Sequence, residues 1–203
     1  MLAACAKDRI HTMVVSVPQQ RMALYRKGEL VRTYDVSTSK FAVSAVEGTN
    51  GTPLGHLEIA KKIGGGQPAG MKFKNRMPTG EVVPVNAAGR DPIVSRILWL
   101  KGLEDQNRNT FERYIYIHGT PEEKNIGKPA SYGCVRMKSK DVIELYDIVG
   151  TGAAVNIVNT PLPPVPAAAP APTVPPSVPS SQIAQNSTVH AAVEATAAAS
   201  GGN

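Results

Sequence analysis

The sequence predicts a mainly β fold. Three observations carry this. Short stretches of alternating or β-branched residues recur between Gly, Pro and charged turns. A single stretch, Ser139 to Val149, has apolar residues at helical spacing. From Thr160 onward the composition changes: Pro and Ala dominate, aromatics are absent and Glu194 is the only formally charged side chain. Such a segment cannot bury enough apolar surface to offset its ordering entropy, so residues 160–203 are predicted to be a disordered Pro/Ala-rich tail with some polyproline character. Its functional reading is a spacer or wall-penetrating tail, and its bland one an unstructured terminus. The 203 residues suffice for one domain with a substantial core and are too few for two large ones. The expected organisation is a leader (1–10), one domain (11–159) and the tail.

The elements follow in order. His11 to Val17 is rich in β-branched residues and reads as a strand, with His11 a surface residue at its entry. Pro18-Gln19-Gln20 is a turn. Arg21 to Arg26 and Glu29 to Val36 form a hairpin about Lys27-Gly28, because glycine accepts positive φ. A further strand spans His56 to Ile63, with His56 facing solvent. Gly64 to Pro92 is loop-rich and reads either as a wall of a cleft, offering Lys72, Lys74 and Arg76, or as a solvated basic loop. Its glycine triplet lacks the Lys-Ser or Lys-Thr of a phosphate loop. Ser95 to Gly102 returns to strand character, with Trp99 as packing. Glu104 to Thr110 is a polar turn, and Arg113 to His118 is a strand. Ser139 can cap the helix, Asp141 favours its first turn and Gly150 marks its end. Ala153 to Val158 is the last strand, and Ala191 to Ala199 is a stretch that flickers into helix.

The chemistry concentrates in Tyr114 to Met137, YIYIHGTPEEKNIGKPASYGCVRM. It offers a histidine at a strand end and a cysteine after a glycine. A free thiol is mostly protonated at neutral pH, and it becomes a useful nucleophile when a histidine takes its proton or stabilises its thiolate. Gly133 permits a tight backbone approach just before the sulfur, where amide N–H groups could face an oxyanion. The pair alone is weak, since a lone cysteine usually behaves as a small buried hydrophobe.

The surrounding residues add to this reading. His118-Gly119-Thr120, Ile126 to Ser131, and Gly133-Cys134-Val135-Arg136-Met137 together resemble the signature of the L,D-transpeptidase catalytic (YkuD-type) domain. Gln20 to Tyr25, Gly28 to Val31, Val36 to Ser39, and Thr52-Pro53-Leu54-Gly55 with Ile59 resemble that family's opening, in its order. One departure stands out: Tyr132 occupies the place where the family usually has a second histidine. The resemblance spans most of Val14 to Val158. It implies a mixed β-sandwich-like domain with a short helix after the nucleophile loop, and acyl transfer on peptidoglycan stem peptides. Cys134 would be the nucleophile and His118 the base, leaning on the Gly119 carbonyl. Amides around Tyr132, Gly133 and Cys134 would hold the oxyanion. Tyr132 could donate a phenolic hydrogen bond or pack across the cleft. Ser131 is assigned to the substrate side of the loop, or to hydrogen bonding within it. Arg136 would bind a substrate carboxylate or pair with a structural one. No cofactor is implied, and Cys134 and His118 lack the further spaced ligands of a zinc site. A carboxypeptidase with the same thioester chemistry, and a non-catalytic wall-binding module, are the competing readings.

The formal net charge of +6 and a pI near 9.4 make the chain basic. That suits solubility, loose attraction to polyanions, or an anionic surface such as a bacterial wall or lipid. No basic helix, finger spacing or aromatic-basic motif points to nucleic acid, and no apolar run approaches a transmembrane span. Met1 to Cys5 has no signal-peptide character. Leu2-Ala3-Ala4-Cys5 resembles a bacterial lipobox, which would make Cys5 a lipid anchor; the alternative is an ordinary initiator segment or a chain trimmed of its export signal. The expected location is the cell envelope, periplasm or wall. A Cys5–Cys134 disulfide is rejected because it would occupy the nucleophile.

Overall fold

The computed structural model describes residues 6–164. Cys5 with its lipobox reading, and residues 165–203, lie outside the described residues. The strands are β1 (His11–Ser16), β2 (Arg21–Arg26), β3 (Glu29–Asp35), β4 (Gly55–Ile63), β5 (Met71–Lys74), β6 (Met77–Val82), β7 (Ile93–Gly102), β8 (Tyr116–Gly119), β9 (Val135–Met137) and β10 (Ala154–Val158). The helix α1 spans Ser139–Ile148, and two 3-10 turns cover Asp105–Thr110 and Glu123–Asn125. The fold is mainly β.

All strands join one branched sheet ordered β3-β2-β1-β10-β4-β7-β5-β6, and β8 leaves β7 on a second path to β9. The last strand enters the middle, parallel to β1 and antiparallel to β4. Beyond β3, Ser37 bridges Arg136 of β9, with N–H···O distances of 2.9 and 2.8 Å. The pairings therefore close on themselves around a core that includes Met13, Leu24, Leu57, Leu98, Ile117 and Val155. Val142 and Leu145, spaced for one helix face, drive α1 into this core beside β7 and β8; each such burial contributes about 1.5–3 kcal/mol. The Lys27-Gly28 hairpin forms as the sequence expects, with φ of 51° and 86°.

Four expectations change. Gly64 to Pro92 is not irregular throughout: it contains the β5–β6 hairpin, turned at Asn75 and Arg76, both at positive φ. All of β6 is exposed, so it has no buried face to write an alternation into the sequence. Glu104 to Thr110 is a 3-10 turn begun by a reciprocal Glu104–Asn107 capping box, too short to show a period. Ser139 does not cap α1. Its hydroxyl accepts from Ser95 at 2.8 Å in the interior, while Glu123 accepts its N–H at 2.8 Å. At the other end Lys62 donates to the carbonyls of Tyr146 and Val149 at 2.7 and 2.6 Å, so a cation on β4 satisfies the helix C-terminus. His11 is buried rather than superficial, its Nδ1 2.8 Å from Asp8.

Candidate active site

β8 and β9 run parallel with Ile117 opposite Val135 and His118 opposite Arg136. Alternation sends Ile117 and Val135 into the main core and turns His118 to the other face. Cys134, just before Val135, stands level with Tyr116 and packs with it and Trp99 in a second apolar cluster. His118 and Cys134 thus share a face, two positions apart along adjacent strands, a diagonal of about 7–8 Å at the backbone.

Each side chain is held by main chain. His118 Nδ1 lies 2.8 Å from the Gly119 carbonyl oxygen. A carbonyl only accepts, so Nδ1 carries the proton and Nε2 keeps its lone pair. Burial pushes the imidazole down to about 4; the Gly119 bond opposes this and the Arg136 charge adds to it. The ring is therefore neutral at pH 7. A Cβ on Gly119 would stand 2.6 Å from the Val94 carbonyl, so β7 demands glycine there. The Cys134 sulfur receives the Tyr116 N–H at 3.4 Å and lies 3.5 Å from the Tyr114 carbonyl. Burial pushes the thiol up to about 11, against the Tyr116 N–H and the charges of Arg136 and Arg113. Cys134 is partly open to solvent, which weakens that upward push. Both groups rest neutral.

The loop that presents the sulfur is tightly braced. Gly133 adopts φ 118°, and a Cβ there would meet Gly51 O and Ile115 Cδ1, both at 3.1 Å. Thr52 Oγ1 donates to Gly133 O at 3.0 Å. Ser131 is fully buried: its hydroxyl donates to Cys134 O at 2.6 Å and accepts the Gly133 N–H at 3.2 Å. It has no surface to offer a substrate, so of the two roles read for it the structure contains the internal one. The Gly133 amide is likewise committed within the loop. Tyr114 is not part of the strand: it takes φ 57°, is exposed, and ends the turn from Phe111. That left-handed turn brings its carbonyl beside the sulfur.

The family model for the YkuD L,D-transpeptidase catalytic domain matches residues 10–157. The chain belongs to this family. A Bacillus licheniformis protein named for YkuD is 28% identical over 147 residues, 72% of this chain and 65% of its own length. A Bacillus subtilis protein of the same name is 36% identical over 86 residues, 42% of this chain and 48% of its own. The chain thus spans less than two thirds of either relative. An L,D-transpeptidase from Mycobacterium smegmatis overlaps with a TM-score of 0.49 at 15% identity, covering 73% of this chain and 58% of that one.

In this YkuD domain Tyr132, at the usual place of a second histidine, is exposed on the rim. Lys40 Nζ donates to its hydroxyl at 3.0 Å and lies 4.5 Å from its ring centroid, and the Phe41 ring sits 5.2 Å away. Arg136 is buried and paired, 2.7 Å from Asp91 and 3.7 Å from Glu122. Thr120 donates to the other Asp91 oxygen. Of the two partners read for Arg136, the structure holds the structural carboxylate. Arg76, at the hairpin tip, lies 4.9 Å from the Tyr114 ring and 5.1 Å from Trp99, forming a wall beside the site, while Lys72 is tied to Glu81 at 2.7 Å. Trp99 packs against Phe111 at 4.1 Å, and His56 faces solvent.

Sequence reading missed Asp91, Arg113, Lys40 and the Tyr116 amide. A backbone amide leaves no trace in residue identity. Arg113, a charge immediately before the YIYIHG run, was the one visible signal. Among the described residues no group of His, Cys, Asp and Glu converges as metal ligands do, and no helix is long and apolar enough to cross a membrane.

Proposed function

We propose that this domain is a peptidoglycan L,D-transpeptidase with Cys134 as nucleophile and His118 as base, acting in the cell envelope. One observation carries the reading: the Gly119 carbonyl accepts from His118 Nδ1, which leaves Nε2 basic on the strand face that Cys134 shares. As Sγ attacks the carbonyl of the diamino-acid L-centre, its proton passes to Nε2. The Tyr116 N–H, already directed at sulfur, stabilises the developing thiolate character beforehand. The amides of Tyr132 and Cys134 hold the oxyanion, since that of Gly133 is given to Ser131; one such donor lowers a barrier by about 3–4 kcal/mol in other enzymes. The imidazolium protonates the departing amine of D-alanine and a thioester remains. An acceptor amine then attacks, gives its proton to His118, and the expelled thiolate takes that proton back.

Intact mass after carbapenem treatment tests the nucleophile. An adduct on the wild type and none on Cys134→Ala supports the reading; no adduct on either favours a binding module. A tetrapeptide stem with an amine acceptor then separates transfer, seen as a cross-linked product, from hydrolysis, seen as tripeptide alone.

A further inference from the structure

A donor stem ends in the carboxylate of its D-alanine, only a few bonds from the scissile amide. That charge needs a cationic partner close to Cys134. Arg136 is already occupied by Asp91 and Glu122. Arg113 is different. Its Nη1 donates to Ser44 O at 3.2 Å and its Nη2 to Gly51 O at 2.9 Å, which fixes the guanidinium while using two of its five donors. Among the described residues no carboxylate lies within ion-pair distance of it. It lines a groove of about 210 Å³ with Tyr114, Ile115, Asn50 and Tyr132, and the carbonyl of Tyr114 in that lining lies 3.5 Å from the sulfur. Glu47 and Glu112 also line this groove, and Glu47 acts on Arg113 only at longer range. Arg113 in turn is close enough for its charge to act on the Cys134 thiol.

We infer that Arg113 is a specificity-determining residue: its guanidinium, pinned by the Ser44 and Gly51 carbonyls, binds the terminal carboxylate of the D-alanine leaving group. The inference rests on the transpeptidase reading and deepens it. A planar, pre-oriented fork favours a free carboxylate over a neutral end. The domain would therefore select stems that end in the D-alanine acid.

The test compares a tetrapeptide stem ending in D-alanine with the same peptide ending in D-alaninamide, reading the release of D-alanine or its amide. Wild type should prefer the acid by about 10–100-fold in kcat/KM, the size of a lost charge-assisted pair. Arg113→Gln should turn over both peptides alike, with the loss on the acid falling mainly on KM. Equal use of both peptides by wild type, or an unchanged preference in Arg113→Gln, overturns the inference and leaves the transpeptidase reading standing. Failure of wild type on both peptides sinks the reading and the inference together. If Arg113→Gln is inactive on both, Arg113→Lys decides: a reduced but persistent acid preference supports the assignment, and none overturns it.

Discussion

Arg136 Nη1 lies 2.7 Å from Asp91 Oδ2, and each side chain retains only 10% of its exposure. The pair ties β9 to the segment before β7, next in the sheet to His118. Asp91→Asn would leave a guanidinium buried without its main counter-charge, a change that costs about 3–5 kcal/mol in buried pairs; the cost falls at the lower end, about 3 kcal/mol, because Glu122 at 3.7 Å compensates in part. The urea midpoint at pH 7 reads this directly. A loss below about 1 kcal/mol would mean that water screens the pair.

His118 sits at about 4 in the folded protein, below the ordinary 6.5 of histidine. Between those values the unfolded chain binds a proton that the folded chain does not, so stability falls as pH drops through this window and is unaffected above it. At roughly 1.4 kcal/mol per tenfold, the loss between pH 7 and 4 is about 3 kcal/mol. Wild type should lose that much more than His118→Asn over the same range. An equal loss in both would refute the buried, neutral imidazole.

A methyl on Gly119 would stand 2.6 Å from the Val94 carbonyl and 3.1 Å from Val142 Cγ1, against backbone that cannot rotate away. Gly119→Ala should therefore push β8 from β7, costing about 1–3 kcal/mol. It should also slow carbapenem acylation of Cys134, because the displaced carbonyl is the one that orients His118. Melting temperature and acylation rate should fall together. A stability loss with an unchanged acylation rate would separate the carbonyl from the chemistry.

Tyr132 is 56% exposed, and its contacts are with Lys40 and Phe41 on the rim. Tyr132→His, which installs the family's usual residue, should keep stability within about 0.5 kcal/mol. The imidazole is shorter and should lose the Lys40 contact. The expected signature is a changed KM for the donor stem with an unchanged rate of Cys134 alkylation. A changed alkylation rate would place this side chain in contact with the thiol's own activation.

Much of the fold was legible because strand burial repeats every second residue and helix burial every three to four. β1 and α1 carry those periods in neighbouring residues, β2 and β7 show instead as short runs buried on both faces, and the Lys27-Gly28 turn carries its own backbone chemistry. β6 carries none, since both of its faces meet solvent. The motif likewise singled out Cys134 and His118 as residues without saying what surrounds them.

By itself the sequence determined the periodic elements, the family and the two side chains that could exchange a proton. Tertiary structure decided their company: parallel pairing of β8 with β9 put them on one face, and the left-handed Tyr114 turned its carbonyl toward the sulfur. It also gave Arg136 to Asp91, across a separation in sequence that no local pattern records. Periodicity is written between neighbours, whereas the partner of a buried charge is chosen by whichever distant segment the closed sheet brings beside it.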